Sequence, residues 1–322
     1  MRVLNGLEGL RQVTAGAVVS VGNFDGLHRG HQRILRTARE LATAQGAAMV
    51  VVTFEPHPLT VLRPAEAPPR LTPPQVKQPL IAAAGADDLV VLPPRPDVLG
   101  LSAQQFWDIL RDQLHVAHLV EGASFRFGKG AAGSIATLRQ FSAGSPVQLH
   151  VVDSVSVPLL DLHVAPVSSS LIRFLLSFGR VRDAAICLGR PYVIQGEVVE
   201  GMKRGRTLGV PTANLRCVEQ MIPADAVYAG RCTVDGRSFP AAVNIGAAPT
   251  FDPQLRQIEA HLIGFDGDLY GRSIGVELLD WLRDQRKFSG AAALRAQLSL
   301  DITRAAAWEG RDASAPIASA QV

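Results

Sequence analysis

The sequence predicts an α/β protein in two parts. A parallel sheet with helices on both faces comes first, and a small β-barrel or sandwich closed by a helix follows. Three observations predict it. Short Val-rich apolar runs alternate with segments of helical period through the N-terminal half. From Pro191 the pattern becomes several short β-type runs separated by Gly, Pro and Asp. The chain has 322 residues, and at roughly 150 residues per domain that is about two domains.

Ala17–Val21 and Ala48–Phe54 are short apolar runs that suit strands buried on both faces. Between them Gln32–Ala44 places Ile34, Leu35, Ala38 and Leu41 at helix spacing. Leu89–Leu92, Ala117–Val120 and Val147–Val152 read as further strands, with helices at Ala103–Leu114 and Ser134–Phe141. In the second half the expected strands are Tyr192–Val199, Tyr228–Val234, Phe239–Asn244, Ile258–Phe265 and Ser273–Trp281, and a helix over about Ala291–Ala307 follows Gly290. The change of character lies near Gly179–Gly189. The expected domains are therefore 1–186 and 187–310, with an Ala/Ser-rich tail, 311–322, expected to be disordered.

Composition narrows the function. Hydrophobic residues make up 47%, so the chain folds. A net charge of +3 from dispersed basic residues, with only 6% aromatics, argues against a nucleic-acid partner. Cys187, Cys217 and Cys232 have no metal-type spacing and form no disulfide framework. The sequence shows no signal-peptide pattern and no apolar stretch of about 18 residues, so a cytoplasmic protein is expected, without a membrane span. No obligate protein partner is expected.

The densest motif is Gly22-Asn23-Phe24-Asp25-Gly26-Leu27-His28-Arg29-Gly30-His31, between an expected strand and an expected helix. A helix N-terminus offers free N–H groups and a positive dipole end to a phosphate. His28 and His31 share one face of its first turn. Imidazoles there can donate to a triphosphate as charge builds on its leaving group. A tight turn with solvated histidines is the competing reading. Thr53-Phe54-Glu55-Pro56-His57-Pro58 ends the second strand, where ligands of open α/β sheets bind. As a lone residue, His57 reads more readily as an ordinary loop histidine. Gly122-Ala123-Ser124-Phe125-Arg126-Phe127-Gly128-Lys129-Gly130 is not a Walker A loop, since Gly130 stands where Ser or Thr is needed. Its two aromatics could line a flat ligand or pack in a turn. Ser168-Ser169-Ser170-Leu171-Ile172-Arg173 supplies an N-cap and, with Arg173, a possible polyphosphate clamp.

In the second half Gly196, Gly201, Gly205 and Gly209 punctuate a strand-loop-strand that carries Lys203, Arg204 and Arg206. A basic hairpin would look the same. Thr212 and Asn214 are two residues apart and share a face in an extended segment. Two neutral oxygens so placed suit Mg²⁺ held mainly by ATP phosphates. Glu259 and His261 alternate with Ile258 and Leu262. A carboxylate on the interior face of a small barrel could serve as a general base, and one on an edge strand would be only a surface group.

The His-x-Gly-His stretch resembles the motif of the nucleotidyltransferase superfamily. Together the motifs resemble the prokaryotic bifunctional riboflavin kinase/FAD synthetase family over about Ala17–Trp308. The most specific are G-N-F-D-G-x-H-x-G-H, T-F-x-P-H-P, S-S-S-x-I-R, and G-R-P-Y through L-G-x-P-T-A-N-L. The resemblance implies a Rossmann-like nucleotidyltransferase domain and an antiparallel riboflavin kinase barrel. It implies phosphorylation of riboflavin to FMN, then adenylylation of FMN to FAD with release of pyrophosphate. ATP, riboflavin, FMN and FAD are the partners implied, with Mg²⁺ accompanying ATP. His28 and His31 are implied to stabilise the triphosphate, with Gly22, Phe24, Asp25, His57, Ser168 and Arg173 in the same ATP site. Ser124, Phe125 and Phe127 are implied on the flavin side of that domain, although Ser124 stands where the family commonly has Asp or Asn. In the kinase, Gly196, Gly201, Lys203, Gly205, Arg206, Thr212 and Asn214 are implied at ATP, and Thr212 and Asn214 at the metal. Glu259 matches the base that activates the ribityl 5′-hydroxyl, and Arg283 and Lys287 fall in the flavin-side loop. Two rival readings are a flavin-binding protein on a retired enzyme scaffold and a nucleotidyltransferase for another substrate.

Overall fold

A computed structural model describes residues 1–201, 209–217, 219–248, 252–308 and 310–315. The chain divides into two compact units, Met1–Ser156 and Val157–Val322.

The first unit is built on six parallel strands. These are β1 (Arg2–Asn5), β2 (Val18–Val21), β3 (Met49–Phe54), β4 (Asp88–Leu92), β5 (His118–Gly122) and, after a two-stranded pair β6 (Arg126–Phe127) and β7 (Gly133–Ser134), β8 (Gln148–Val152). The sheet order is β1-β4-β3-β2-β5-β8. The central strands are continuous apolar runs because both faces are covered. Val19, Val21, Val50, Val52 and Val90 pack with Phe106, Trp107 and Leu138 on one side. Val18, Met49, Val51 and Leu89 pack with Leu35, Ala38, Ala42 and Ile81 on the other.

Among the helices are α1 (Gly6–Leu10), α2 (Arg29–Gln45), the short α3 (Leu59–Leu62), α4 (Pro74–Ala83), the short α5 (Pro96–Leu99), α6 (Ala103–Asp108) and α7 (Ile135–Ser142). The helix expected over Ala103–Leu114 turns from α to π geometry at Ile109–Gln113. Strand β1 and helix α4 have no clear apolar period. Strand β1 is secured at the sheet edge by Arg2, whose guanidinium donates twice to Asp88 of β4 at 2.6 and 2.7 Å.

A hairpin, β9 (Ser156–Pro158) and β10 (Val164–Pro166), begins at the last residue of the first unit and leads the second, followed by two helices, α8 (Ser169–Ser177) and α9 (Val181–Leu188). A closed barrel follows: β11 (Tyr192–Val199), β12 (Ala213–Arg216), β13 (Ala226–Val234), β14 (Arg237–Ala248), β15 (Asp252–Leu262) and β16 (Ser273–Arg283). Its order is β11-β12-β15-β14-β13-β16, and β16 returns to β11. The barrel, not the sandwich, is thus the architecture, and all of its pairings are antiparallel. The sequence places a boundary near residue 186, within α9. That helix packs on the barrel, where Ala185 meets Ala229, Leu279 and Ala305.

Helix α10 (Ala291–Ala306) closes the unit. Its buried face is partly polar: Asp301 accepts from Arg283 and from Gln297. The expected disorder of the tail does not extend to its first residues. Ala313 is buried in the Ala185 cluster, and the guanidiniums of Arg182 and Arg311 lie over the Trp308 ring at 5.1 and 5.7 Å. Residues 316–322 lie outside the described residues.

Candidate active sites

The first unit concentrates its chemistry where the sheet order reverses, between β2 and β5. These strands pair only at Val18–His118 and Val19–Leu119. Beyond that the ladder stops, and the buried Glu121 carboxylate takes the Val21 N–H at 2.8 Å. Burial pushes the Glu121 carboxyl well above its usual range, against the pull of that bond. The two strands stop pairing at their carboxyl edge, the usual ligand position in such sheets.

The loop from Gly22 to His28 enters this edge. Phe24 and Leu27 hold φ of 46° and 41°, left-handed values that cost a side-chain-bearing residue about 1–3 kcal/mol. Asp25 fixes the conformation. Its buried Oδ1 accepts from the Leu71 N–H, the Thr72 N–H and the Thr72 hydroxyl at 2.9–3.1 Å. The Gly26 N–H then donates to the Thr72 hydroxyl at 3.0 Å. Asp25, implied at ATP, thus has its carboxylate committed to the shape of the loop.

His28 is the N-cap of α2, and its Nδ1 accepts from the His31 N–H. The neutral ring therefore carries its proton on Nε2. The two imidazoles stack with centroids 3.7 Å apart, and Phe24 packs edge-on against His31 at 5.3 Å. Burial, then His28, then Lys77 hold the His31 pKa well below the ordinary imidazole value. Its Nδ1 is buried without a hydrogen-bond partner. The pair thus presents two stacked imidazoles at a helix N-terminus, with the His31 ring held uncharged by burial.

His57 is 3.1 Å from the Asn23 amide, and its Nδ1 accepts from the Leu59 N–H. The structure therefore brings His57 to the His28 loop through Asn23. Sequence reasoning missed a neighbouring charge cluster. Glu55 pairs with Arg70 at 2.6 Å and with the buried Lys77 at 3.0 Å. Lys77 sits on α4, a helix with no clear period, so nothing in the sequence tied it to His31.

The flavin-side expectations divide. Ser124 is exposed and Phe125 half-buried, while Phe127 belongs to the core and packs on Phe106. The two Phe rings stack at 5.6 Å. Phe127 is thus a packing residue that can act on a ligand only through Phe125. Ser168 caps α8 by accepting from the Leu171 N–H at 3.1 Å, and Arg173 is half-buried on that helix in the second unit.

In the barrel, Asn214 of β12 lies directly opposite Glu259 of β15, which lies directly opposite Asn244 of β14. Residues so paired share a sheet face. The interior position expected for Glu259 is not found. Alternation turns Ile258, Ala260 and Leu262 into the core and leaves Glu259 and His261 half-buried on the other face. His261 Nδ1 donates to the Pro211 carbonyl at 2.7 Å, which holds the segment leading to Thr212.

Thr212 and Asn214 line one cavity of about 470 Å³ with Gly201 and the turn from Phe265 to Tyr270, a turn that carries no motif in the sequence. Gly196 lies within β11, where a Cβ would crowd the Arg216 carbonyl at 3.1 Å. At Gly201 a Cβ would overlap the Asn214 carboxamide. Gly201→Ala should therefore displace that amide from its place on the cavity wall.

Arg283 is engaged elsewhere: it forms a bidentate pair with the buried Asp301 and lies over Phe288 at 5.6 Å. Lys287 is exposed. Lys203, Gly205 and Arg206 lie outside the described residues. No cluster of three or more His, Cys, Asp or Glu suited to a metal occurs among the described residues.

Residues 10–170 match the family described as FAD synthetase, and residues 188–309 match the family described as riboflavin kinase. The bifunctional riboflavin kinase/FMN adenylyltransferase of Pseudomonas fluorescens is 36% identical over 95% of this chain and 97% of its own length. Proteins of the same description from Bacillus subtilis and Escherichia coli K12 are 35% and 34% identical, over 91% and 94% of this chain and 92% and 96% of theirs. A solved structure described as a macrolide-efflux protein from Streptococcus pneumoniae superposes with a TM-score of 0.85 and 27% identity, covering 96% of this chain and 100% of that one. Among the described residues no helix is long and apolar enough to cross a membrane.

Proposed function

The chain belongs to the bifunctional riboflavin kinase/FMN adenylyltransferase family, and from that premise we propose how its residues divide the two reactions. The protein phosphorylates riboflavin to FMN with ATP. It then adenylylates FMN with ATP to FAD, releasing pyrophosphate.

Adenylyl transfer is assigned to the first unit. A phosphate oxygen of FMN attacks the α-phosphorus of ATP, and the bond to pyrophosphate breaks. No protein nucleophile is required, so positioning and charge stabilisation carry the step. His28 and His31 donate to the phosphate oxygens on which charge grows. Gly22, Phe24 and His57 shape the edge that receives the nucleotide, and Phe125 offers a face to the flavin.

Phosphoryl transfer is assigned to the barrel. The ribityl hydroxyl oxygen bonds to the γ-phosphorus of ATP, and the bond to ADP breaks. Glu259 takes the hydroxyl proton. The neutral oxygens of Thr212 and Asn214, together on one cavity wall, fit a hard divalent cation shared with ATP phosphates. Mg²⁺ bound there would neutralise phosphate charge. Lys203, Gly205 and Arg206 are assigned to the ATP polyphosphate from sequence alone. Three free thiols, two of them buried, support a reducing cytoplasmic location.

The observation that carries this division is the cross-strand row Asn214–Glu259–Asn244 in the barrel, separate from the stacked His28–His31 pair of the first unit. Incubation with riboflavin, ATP and Mg²⁺, followed by chromatography, should yield both FMN and FAD. Recovery of riboflavin alone from folded protein would overturn it.

A further inference from the structure

We infer that Asn244 is a positioning residue for riboflavin phosphorylation: it orients the Glu259 carboxylate, and Gln285 holds it in the orientation that does so. The inference rests on the reading of Glu259 as the base.

The hydrogen bonds run in one direction from a fixed start. The carbonyl of Ile245 can only accept, so the Gln285 group that meets it at 2.9 Å is the NH₂. The same Nε2 donates its second hydrogen to Asn244 Oδ1 at 3.0 Å. Asn244 is thereby left with its NH₂ toward Glu259, where Nδ2 donates to Oε2 at 3.5 Å. An amide whose two ends could otherwise be exchanged is thus assigned by a backbone carbonyl. The last bond is long, as bonds to a catalytic group often are before substrate binds.

The backbone makes room for this relay. A Cβ on Gly246 would overlap the Gln285 carboxamide, so glycine there admits Gln285 to the sheet. The φ of Gly246 is not in the left-handed region, so the need is for space. Gln285 lies two residues beyond the end of β16, between Arg283 and Lys287. With Oε2 held by Asn244, Oε1 of Glu259 is the oxygen presented to the hydroxyl.

The discriminating variant is Asn244→Asp. It keeps the size of the side chain and the acceptor for Gln285 but replaces the donor facing Glu259 with an acceptor. Riboflavin phosphorylation should fall by about tenfold or more in kcat near neutral pH, as for a misplaced reacting group. The acid limb of its pH profile should move to higher pH, because a carboxylate facing another negative oxygen holds its proton more tightly. The KM for ATP should stay unchanged. Gly246→Ala, which pushes Gln285 away, should lower kcat in the same way, and thermal melting should show the barrel folded in both variants.

A parental pH profile in folded Asn244→Asp would overturn the proposal, as would a parental kcat in Gly246→Ala. If Glu259→Gln itself kept the parental rate, the base assignment would fall and the relay with it. If Glu259→Gln were inactive while Asn244→Asp matched the parent, only the relay would fall.

Discussion

His31→Ala converts riboflavin to FMN and stops there: in a coupled reaction FMN accumulates and FAD formation drops by about 10²–10³-fold, the usual cost of removing a donor aimed at transition-state charge. The His31 ring is stacked on His28 and braced by Phe24, so its place is set before ATP arrives. Burial keeps it uncharged, and a preset neutral donor needs no reorganisation as the pyrophosphate bond breaks. Because the free-enzyme pKa lies well below the ordinary imidazole value, kcat/KM for adenylylation should show no inflection from this ring near pH 6.5. Separating riboflavin, FMN and FAD by chromatography measures the first effect, and a pH series the second. Equal loss of both activities would refute the assignment of His31 to one reaction.

Glu259→Gln should do the reverse. Gln has the same shape and can still meet Asn244, but it cannot take a proton from the ribityl hydroxyl. Loss of a general base costs about 10²–10⁴-fold. Riboflavin should remain unphosphorylated while supplied FMN is adenylylated at the parental rate. Asn214 and Asn244 flank position 259 on the two neighbouring strands, so the substitution leaves the row otherwise intact. Phosphorylation at the parental rate would remove Glu259 from the mechanism.

Most of the fold was legible where burial imposed a pattern. Strands β2, β3 and β4 read as continuous apolar runs because helices cover both faces, and α2 read from Ile34, Leu35, Ala38 and Leu41, of which Leu35 and Ala38 are fully buried. Strand β1 did not, since Val3 is exposed and an ion pair to Asp88 secures the strand. Helix α4 hides its period behind a buried Lys77 and an internal Pro79. The site divides along the same line. His28 and His31 stand close together in sequence, whereas the Asn244–Glu259 pairing exists only through strand register. Gln285 acts from beyond a strand end, and its partner carbonyl lies 40 residues away. No local spacing marks such a contact. Arg283 shows the converse: a basic residue in the expected loop is a structural partner of a buried Asp301.

The Asp25 latch has a consequence for any attempt to move this chemistry. The ten residues from Gly22 to His31 look like a portable cassette, yet their shape depends on Leu71 and Thr72, 46 and 47 positions away. Transplanted alone between a strand and a helix of another scaffold, the segment would lose the groups that hold Phe24 and Leu27 in left-handed conformations. It would relax, and the two imidazoles would separate. A successful graft has to carry a second strip of backbone with a hydroxyl-bearing residue to close over the aspartate. The smallest transferable unit is therefore two strips of chain from distant parts of the sequence, and a designer who copies only the visible signature copies half of it.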